Sequence, residues 1–223
     1  SAEQPMPRGA PQICVNASDG TEIWRVNGVF RDTRWGGNGV IGDSIIATMD
    51  TYDQRVYAIG KGPSKTTATA PDVSVDYGKS VVIKGTVTDI SPGTARYALT
   101  SRFPNGVPVV SDASMSDWML YLYKQFERPT NATGVPVSID VIDANGNYRN
   151  IGTTTSDAFG VYSFDWTPDI AGKYQVFVTF AGSGGYYPSY AATSFVVEDA
   201  PEATPGPTDS PARAADLYFV PAI

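Results

Sequence analysis

Val135-Pro136-Val137-Ser138-Ile139-Asp140-Val141 alternates apolar residues with Pro, Ser and Asp, one for one. That two-residue period sends one row toward a core and the other toward water, as in a half-buried strand. Asn145-Gly146 follows, a dipeptide suited to the positive φ of a tight hairpin turn. Tyr162, Phe164 and Trp166 then share one face of a second strand, Tyr174, Val176, Val178 and Phe180 one face of a third, and Thr193, Phe195 and Val197 line a fourth. Four patterned strands joined by turn residues, with no helical period between them, predict an antiparallel sandwich over Val135–Val197.

The composition bounds what such a fold does. A hydrophobic content of 42% with 12% aromatics over 223 residues is enough to bury a real core. Sixteen Lys and Arg against 23 Asp and Glu leave a net charge of −7, which argues against a nucleic-acid partner. Histidine is absent, so Ser-His-Asp and Cys-His nucleophile systems and all histidine metal sites are excluded. The single cysteine, Cys14, has no partner for an internal disulfide and stands between Ile13 and Val15 in an apolar run, where a thiol is buried and inert.

From the beginning of the chain, Ser1–Pro11 is rich in Pro, Gly and small residues and lacks the charged start and apolar centre of a signal peptide. Gln12–Asn16 reads as a strand, Asp19-Gly20 as a turn and Glu22–Val26 as a strand holding Trp24. Ser44–Met49 and Arg55–Gly60 read as a further pair. Cys14-Val15-Asn16-Ala17-Ser18-Asp19-Gly20-Thr21-Glu22-Ile23-Trp24-Arg25 resembles the repeat of β-propellers related to the pyrroloquinoline-quinone dehydrogenases, with its apolar strand, Asp-Gly turn and tryptophan. Val40–Ala47 and Tyr52–Ile59 resemble its remaining strands. The resemblance implies one blade over about residues 1–64, and a propeller closes only with about four to eight. It implies either the C-terminal part of a longer propeller protein or a sheet completed by another molecule.

Gly60-Lys61-Gly62-Pro63-Ser64-Lys65-Thr66 follows a strand and ends in Lys-Thr, but the spacing of a phosphate loop fails at Ser64 and Ile59, and Thr67–Pro71 cannot open a helix. This segment reads as a linker. Val73–Tyr77 and Ser80–Asp89 are expected to be the first strands of the next domain, residues 65–199, with Val81, Ile83, Gly85 and Val87 on one side. The insertion 91–133 then interrupts the strands. Within it Ser114 and Asp117 have the spacing of a helix N-terminal cap, Met115, Trp118, Met119, Leu122 and Phe126 fall at helical spacing, and Pro129 ends the run. The stripe reads as a helix packed against the sandwich, or else as a ligand or partner site, and a long insertion in a compact sandwich is where a contact surface would be sought first. Trp118, Tyr121, Tyr123 and Phe126 are its candidate residues.

Trp166-Thr167-Pro168-Asp169-Ile170-Ala171-Gly172-Lys173-Tyr174 delivers Tyr174 to the start of a strand, as the tyrosine corner does. Together with Thr155–Phe164 it resembles the immunoglobulin-like and carboxypeptidase-regulatory-like domains of prokaryotic surface proteins, over roughly Thr69–Glu198. Residues 200–216 are a proline-rich stalk by composition, and 217–223 turn apolar again, as the start of a membrane anchor or a strand that docks on the sandwich. The whole order resembles archaeal cell-surface proteins held by a C-terminal helix.

Asn16-Ala17-Ser18 and Asn131-Ala132-Thr133 are N-glycosylation acceptor patterns, Asn131 in a polar loop and Asn16 beside a turn. Asp143, Asn145 and Asn147 lack the distal ligands of a calcium loop and read as a hairpin turn. Asp43, Asp50 and Asp53 form a looser carboxylate group. The expected fold class is therefore all-β: a partial propeller blade, then an immunoglobulin-like β-sandwich with a short helical insertion. The expected function is that of a non-enzymatic extracellular structural or adhesion module. Its partners are other surface proteins or copies of itself, and glycans, with no cofactor, no nucleic acid and the membrane only through a segment beyond residue 223. Two other readings stand beside it, a filament or layer subunit that shares strands, and the end of a quinone-dependent dehydrogenase.

Overall fold

The computed structural model describes residues 11–26, 39–50, 54–124 and 126–199. The alternating row at Val135–Val141 becomes strand β9 (Pro136–Ile142), with Val135, Val137, Ile139 and Val141 at most 1% exposed. At its end the Asp143 carboxylate accepts from the backbone N–H of Asn145 (2.9 Å) and Asn147 (3.0 Å), and Gly146 takes φ 83°. This turn reverses the chain into β10 (Tyr148–Thr155), which pairs antiparallel with β9 through a bulge between Asn150 and Gly152. Strand β10 carries no sequence signature strong enough to predict it. Its Tyr-Arg-Asn-Ile-Gly-Thr-Thr-Thr is mostly polar because it forms the sheet edge, where both a bulge and polar side chains discourage further pairing.

The chain then leaves this sheet. β11 (Val161–Trp166) pairs with β7 (Val81–Asp89), not with β10. β12 (Gly172–Phe180) and β13 (Ser189–Val197) return to the first sheet, whose order is β10-β9-β12-β13. The second sheet has the order β11-β7-β6, with β6 at Ser64–Thr66 and the two-residue β8 (Val107–Pro108) extending the end of β7. Every named ladder in the two sheets is antiparallel. Strands switch sheets from β7 to β9, from β10 to β11 and from β11 to β12, which is the Greek-key connectivity of an immunoglobulin-like sandwich. The inward rows Val81, Ile83, Val87 and Tyr162 face Val137, Ile139, Val141, Tyr174, Val176, Val178, Phe180, Phe195 and Val197 across one core. Each such side chain contributes about 1.5–3 kcal/mol of hydrophobic stabilisation.

Two details fix the sandwich. Gly85 stands in the inward row of β7 where a Cβ would lie 1.9 Å from the Thr67 carbonyl oxygen and 2.5 Å from the Tyr162 hydroxyl; only glycine lets the β6 segment cross so closely. The Tyr174 hydroxyl accepts from the Ile170 N–H (3.1 Å) and donates to Asp169 Oδ1 (3.2 Å), closing the turn four residues upstream. That is the hydrogen-bond pattern of a tyrosine corner. Its ring stacks on Phe195 at 5.4 Å and meets Trp166 edge-on at 5.2 Å.

Val73–Tyr77 does not form the strand that the sequence suggested. Only Val75 lies against the sheet, donating to the Val196 carbonyl (2.9 Å) and accepting from the Glu198 N–H (2.8 Å), while Val73 is 75% exposed. The insertion carries more structure than one helix: a 3-10 turn at Pro92–Ala95, α1 (Tyr97–Arg102), β8, and α2 (Asp112–Lys124). Helix α2 starts two residues before the expected cap Ser114, and the residue in front of it, Ser111, accepts the Ser114 N–H through its carbonyl at 2.9 Å.

Before residue 60 the expected strands are present, and among the described residues they fall in two sheets. β1 (Gln12–Val15) and β2 (Glu22–Val26) form a hairpin, and β3 (Val40–Gly42), β4 (Ile45–Asp50) and β5 (Arg55–Ile59) form a separate three-stranded meander. A propeller blade is a single four-stranded sheet. Among the described residues no ladder joins the two small sheets, so a propeller blade is not shown. Residues 1–10, the tip 51–53 and the segment 200–223, with the expected stalk and apolar tail, lie outside the described residues. No helix among the described residues is long and apolar enough to cross a membrane.

Candidate functional site

The insertion brings part of the predicted aromatic group together and removes another part from the surface. Leu99 of α1, Val107 and Val110 around β8, and Trp118 and Leu122 of α2 form a second small core. Trp118 is wholly buried, with its ring 6.0 Å from Phe103 and 5.4 Å from Tyr121, and among the described residues its indole N–H has no hydrogen-bond partner. It is therefore a packing residue, not a contact residue. Tyr121 is half-buried beneath the Arg102 guanidinium at 4.2 Å. Tyr123 is half-buried too, its hydroxyl pushed up to about 12 by burial and by the nearby Asp89 carboxylate. Of the four, Phe126 is exposed, at 40%.

Phe126 borders an open recess of about 480 Å³ lined also by Asp117, Leu120, Arg128 and Asn131. Arg128 leans on the Phe159 ring at 4.4 Å, and Asn131 is exposed at the rim. Asn16 is half-buried, with its side-chain oxygen accepting the Ser18 N–H at 2.9 Å. Glycan acceptors need an accessible amide, which Asn131 offers more openly than Asn16.

Helix α2 is clamped at its first residue. The Asp112 carboxylate accepts from the backbone N–H of Gly184 (2.7 Å) and Gly185 (2.9 Å) in the β12–β13 loop. Burial alone would raise this carboxyl, but the two amides outweigh it and hold it below its ordinary value. The same loop receives Gly62: its N–H donates to the Gly185 carbonyl at 2.9 Å, and its own carbonyl accepts from Tyr187 at 2.9 Å. The Gly60–Thr66 segment is thus extended chain running into β6, with no helix after it, and has no phosphate-loop geometry.

The other side of α2 meets the N-terminal sheets. Ser116 donates through its hydroxyl to the Arg25 carbonyl of β2 at 2.8 Å. At the last residue of the helix, the Lys124 ammonium contacts the Asp50 carboxylate of β4 and lies 4.0 Å from the centre of the Tyr57 ring of β5. Asp50 and Asp43 do not converge. Asp50 ends the six-residue strand β4, which spans about 17 Å at about 3.3 Å per residue, and Asp43 lies before its other end. Asp43 and Ser44 occupy the β3–β4 turn with φ 49° and 62°, and Asp53 is outside the described residues. Among the described residues no group of three or more His, Cys, Asp or Glu side chains is placed to hold a metal ion.

The outer faces of those two sheets have no signature in the sequence. In the meander, Thr48 (4% exposed) and Asp50 (0%) turn inward, while Val40, Ile45, Met49 and Val56 are 42–70% exposed. In the hairpin, Ile13, Val15 and Ile23 are 40–61% exposed. Soluble proteins seldom leave large apolar patches bare.

No known protein family and no curated protein matches the chain. Solved structures do. One is the crystal structure of a CARDB domain from Pyrococcus furiosus, in complex with di-metal ions, at 13% identity over 62% of this chain and 90% of that one, with a TM-score of 0.32. Another is the solution structure of the same domain, at 13% identity over 63% of this chain and 98% of that one, with a TM-score of 0.30. The immunoglobulin-like assignment rests on the strand order itself.

Proposed function

We propose that this chain is a non-enzymatic module of an extracellular cell-surface protein, in which the immunoglobulin-like sandwich is a spacer and the N-terminal sheets form the contact surface. The observation that carries this reading is the concentration of exposed Val, Ile and Met on the outer faces of β1–β2 and β3–β5. The propeller-like repeat in Cys14–Arg25 and the proline-rich composition of 200–216 support a place between a propeller and a stalk. The partners are other sheets of surface proteins, including copies of this one, and the exposed Asn131 is the glycan acceptor. Limited proteolysis of intact native cells tests the proposal. Surface exposure predicts that peptides of the sandwich are released into the medium; a chain that stays intact until the cells are lysed ends the reading.

A further inference from the structure

We propose that Lys124 and Asp50 condense into an intramolecular amide, Nζ of Lys124 bonded to Cγ of Asp50, which ties helix α2 covalently to strand β4. The two side chains come from positions 74 residues apart and are in direct contact. Both are withdrawn from water, with side-chain exposures of 8% for Lys124 and 0% for Asp50. The Tyr57 ring covers the amine from one side. Thr48, two residues before Asp50 on the same strand face, is buried, and among the described residues its hydroxyl has no partner. The inference does not depend on where the protein is located or what it binds.

An ammonium and a carboxylate do not condense in water, because the charged forms are solvated and the amine has no free lone pair. Burial removes both obstacles. It penalises the two charges, and it holds the Lys124 amine down to about 8, so that neutral amine is accessible at neutral pH. One proton then passes from the ammonium to the carboxylate, leaving amine and carboxylic acid with no change in total charge. The Nζ lone pair attacks Cγ, an Nζ proton moves to the hydroxyl oxygen, the Cγ–O bond breaks, and one water departs. The Thr48 hydroxyl is available to relay that proton. Nothing is oxidised or reduced. Fixing the reactants replaces an encounter in solution, since the Asp112 clamp and the Ser116 contact anchor the first part of the helix that ends in Lys124. The product buries a neutral amide in place of two charges.

Intact-mass measurement of the purified full chain under denaturing conditions tests this. The expected result is a mass about 18 Da below that of the linear sequence, with a protease digest yielding a branched peptide that contains both Asp50 and Lys124. Lys124→Arg keeps the positive charge, cannot condense, and restores the full mass. A wild-type chain at full mass, with Asp50 and Lys124 in separate linear peptides, overturns the proposal. So does a deficit that persists in Lys124→Arg, which would place the loss of water elsewhere, as in a succinimide at Asp19-Gly20. The branched peptide is read from the wild-type chain, so the test stands whether or not the variant folds.

Discussion

The sandwich and the N-terminal sheets are built from the same kind of strand and use it in opposite ways. In the sandwich, β9 and β12 turn Val and Ile inward to near-zero exposure, and Ser, Asp, Lys and Gln fall on the other row. In the meander, the wholly buried side chains are Thr48 and Asp50, and the uncovered row is Val40, Ile45, Met49 and Val56. Twenty-two apolar residues are buried among the described ones, and none of them precedes Val81. Since apolar burial is the main favourable term in folding, the two regions cannot have the same source of stability. The sandwich is held by its own core. Among the described residues the small sheets are held by their ladders, by α2 and by the Lys124–Asp50 contact.

The largest expected effect separates the two directly. Ile139→Ala should destabilise the sandwich by about 2–5 kcal/mol, because it empties a fully buried site between two sheets. Val56→Ala, at a residue 70% exposed, should change stability by no more than about 0.5 kcal/mol. Denaturant unfolding of both variants checks this, and equal losses would mean that the outer face of the meander is covered in solution. Gly85→Ala comes next. Its new methyl group would meet the Thr67 carbonyl, so β6 must shift from β7 at a cost of about 1–3 kcal/mol, seen as a lowered unfolding midpoint.

What the sequence made legible follows the same division. Rows that face a core, such as Val137-Ile139-Val141 and Tyr174-Val176-Val178-Phe180, announce themselves by their period. The corner at Tyr174 is equally local, since its partners lie at Asp169 and Ile170. Strand β10 carries no such signal because an edge strand has little to bury, and the three alternating residues of Val73–Tyr77 do not show which sheet edge receives them. Helix α2 and its apolar stripe are legible by period, but which residues of the stripe are enclosed is not. The stripe that contains Trp118 fits packing or contact equally by period, and only α1 and β8, distant in sequence, reveal that this ring is enclosed. The meeting of Asp50 with Lys124 depends on the packing of α2 on β4 and has no local signature.

Tyr174→Phe removes one hydroxyl from the corner and leaves its ring stack intact. The Ile170 N–H loses its acceptor, so a loss of about 1 kcal/mol is expected in the sandwich, and none in the docking of the small sheets. A hydrogen-exchange measurement resolves the two: amides of β12 and β13 should exchange faster, and those of β4 and β5 at the wild-type rate. Faster exchange in both regions would show that they unfold as one unit.

The smallest expected effect lies at the same corner and is read through pH. The bidentate Arg149 guanidinium holds the Asp169 carboxyl at about 2, below the ordinary value of about 3.9. A folded-state value below the unfolded one means that the stabilisation is fully present above about pH 4 and is lost as pH falls toward about 2. Both side chains are well exposed, so solvent screening keeps the effect small. The thermal midpoint of the wild type should therefore exceed that of Asp169→Asn at pH 5, and the gap should close by about pH 2. Glu22 and Arg25 make a similar exposed pair within the β1–β2 hairpin, but at i,i+3 they bridge nothing beyond that hairpin. Glu22→Gln should leave the midpoint of the sandwich unchanged at every pH; a shift there would show that the hairpin is part of the sandwich's cooperative unit after all.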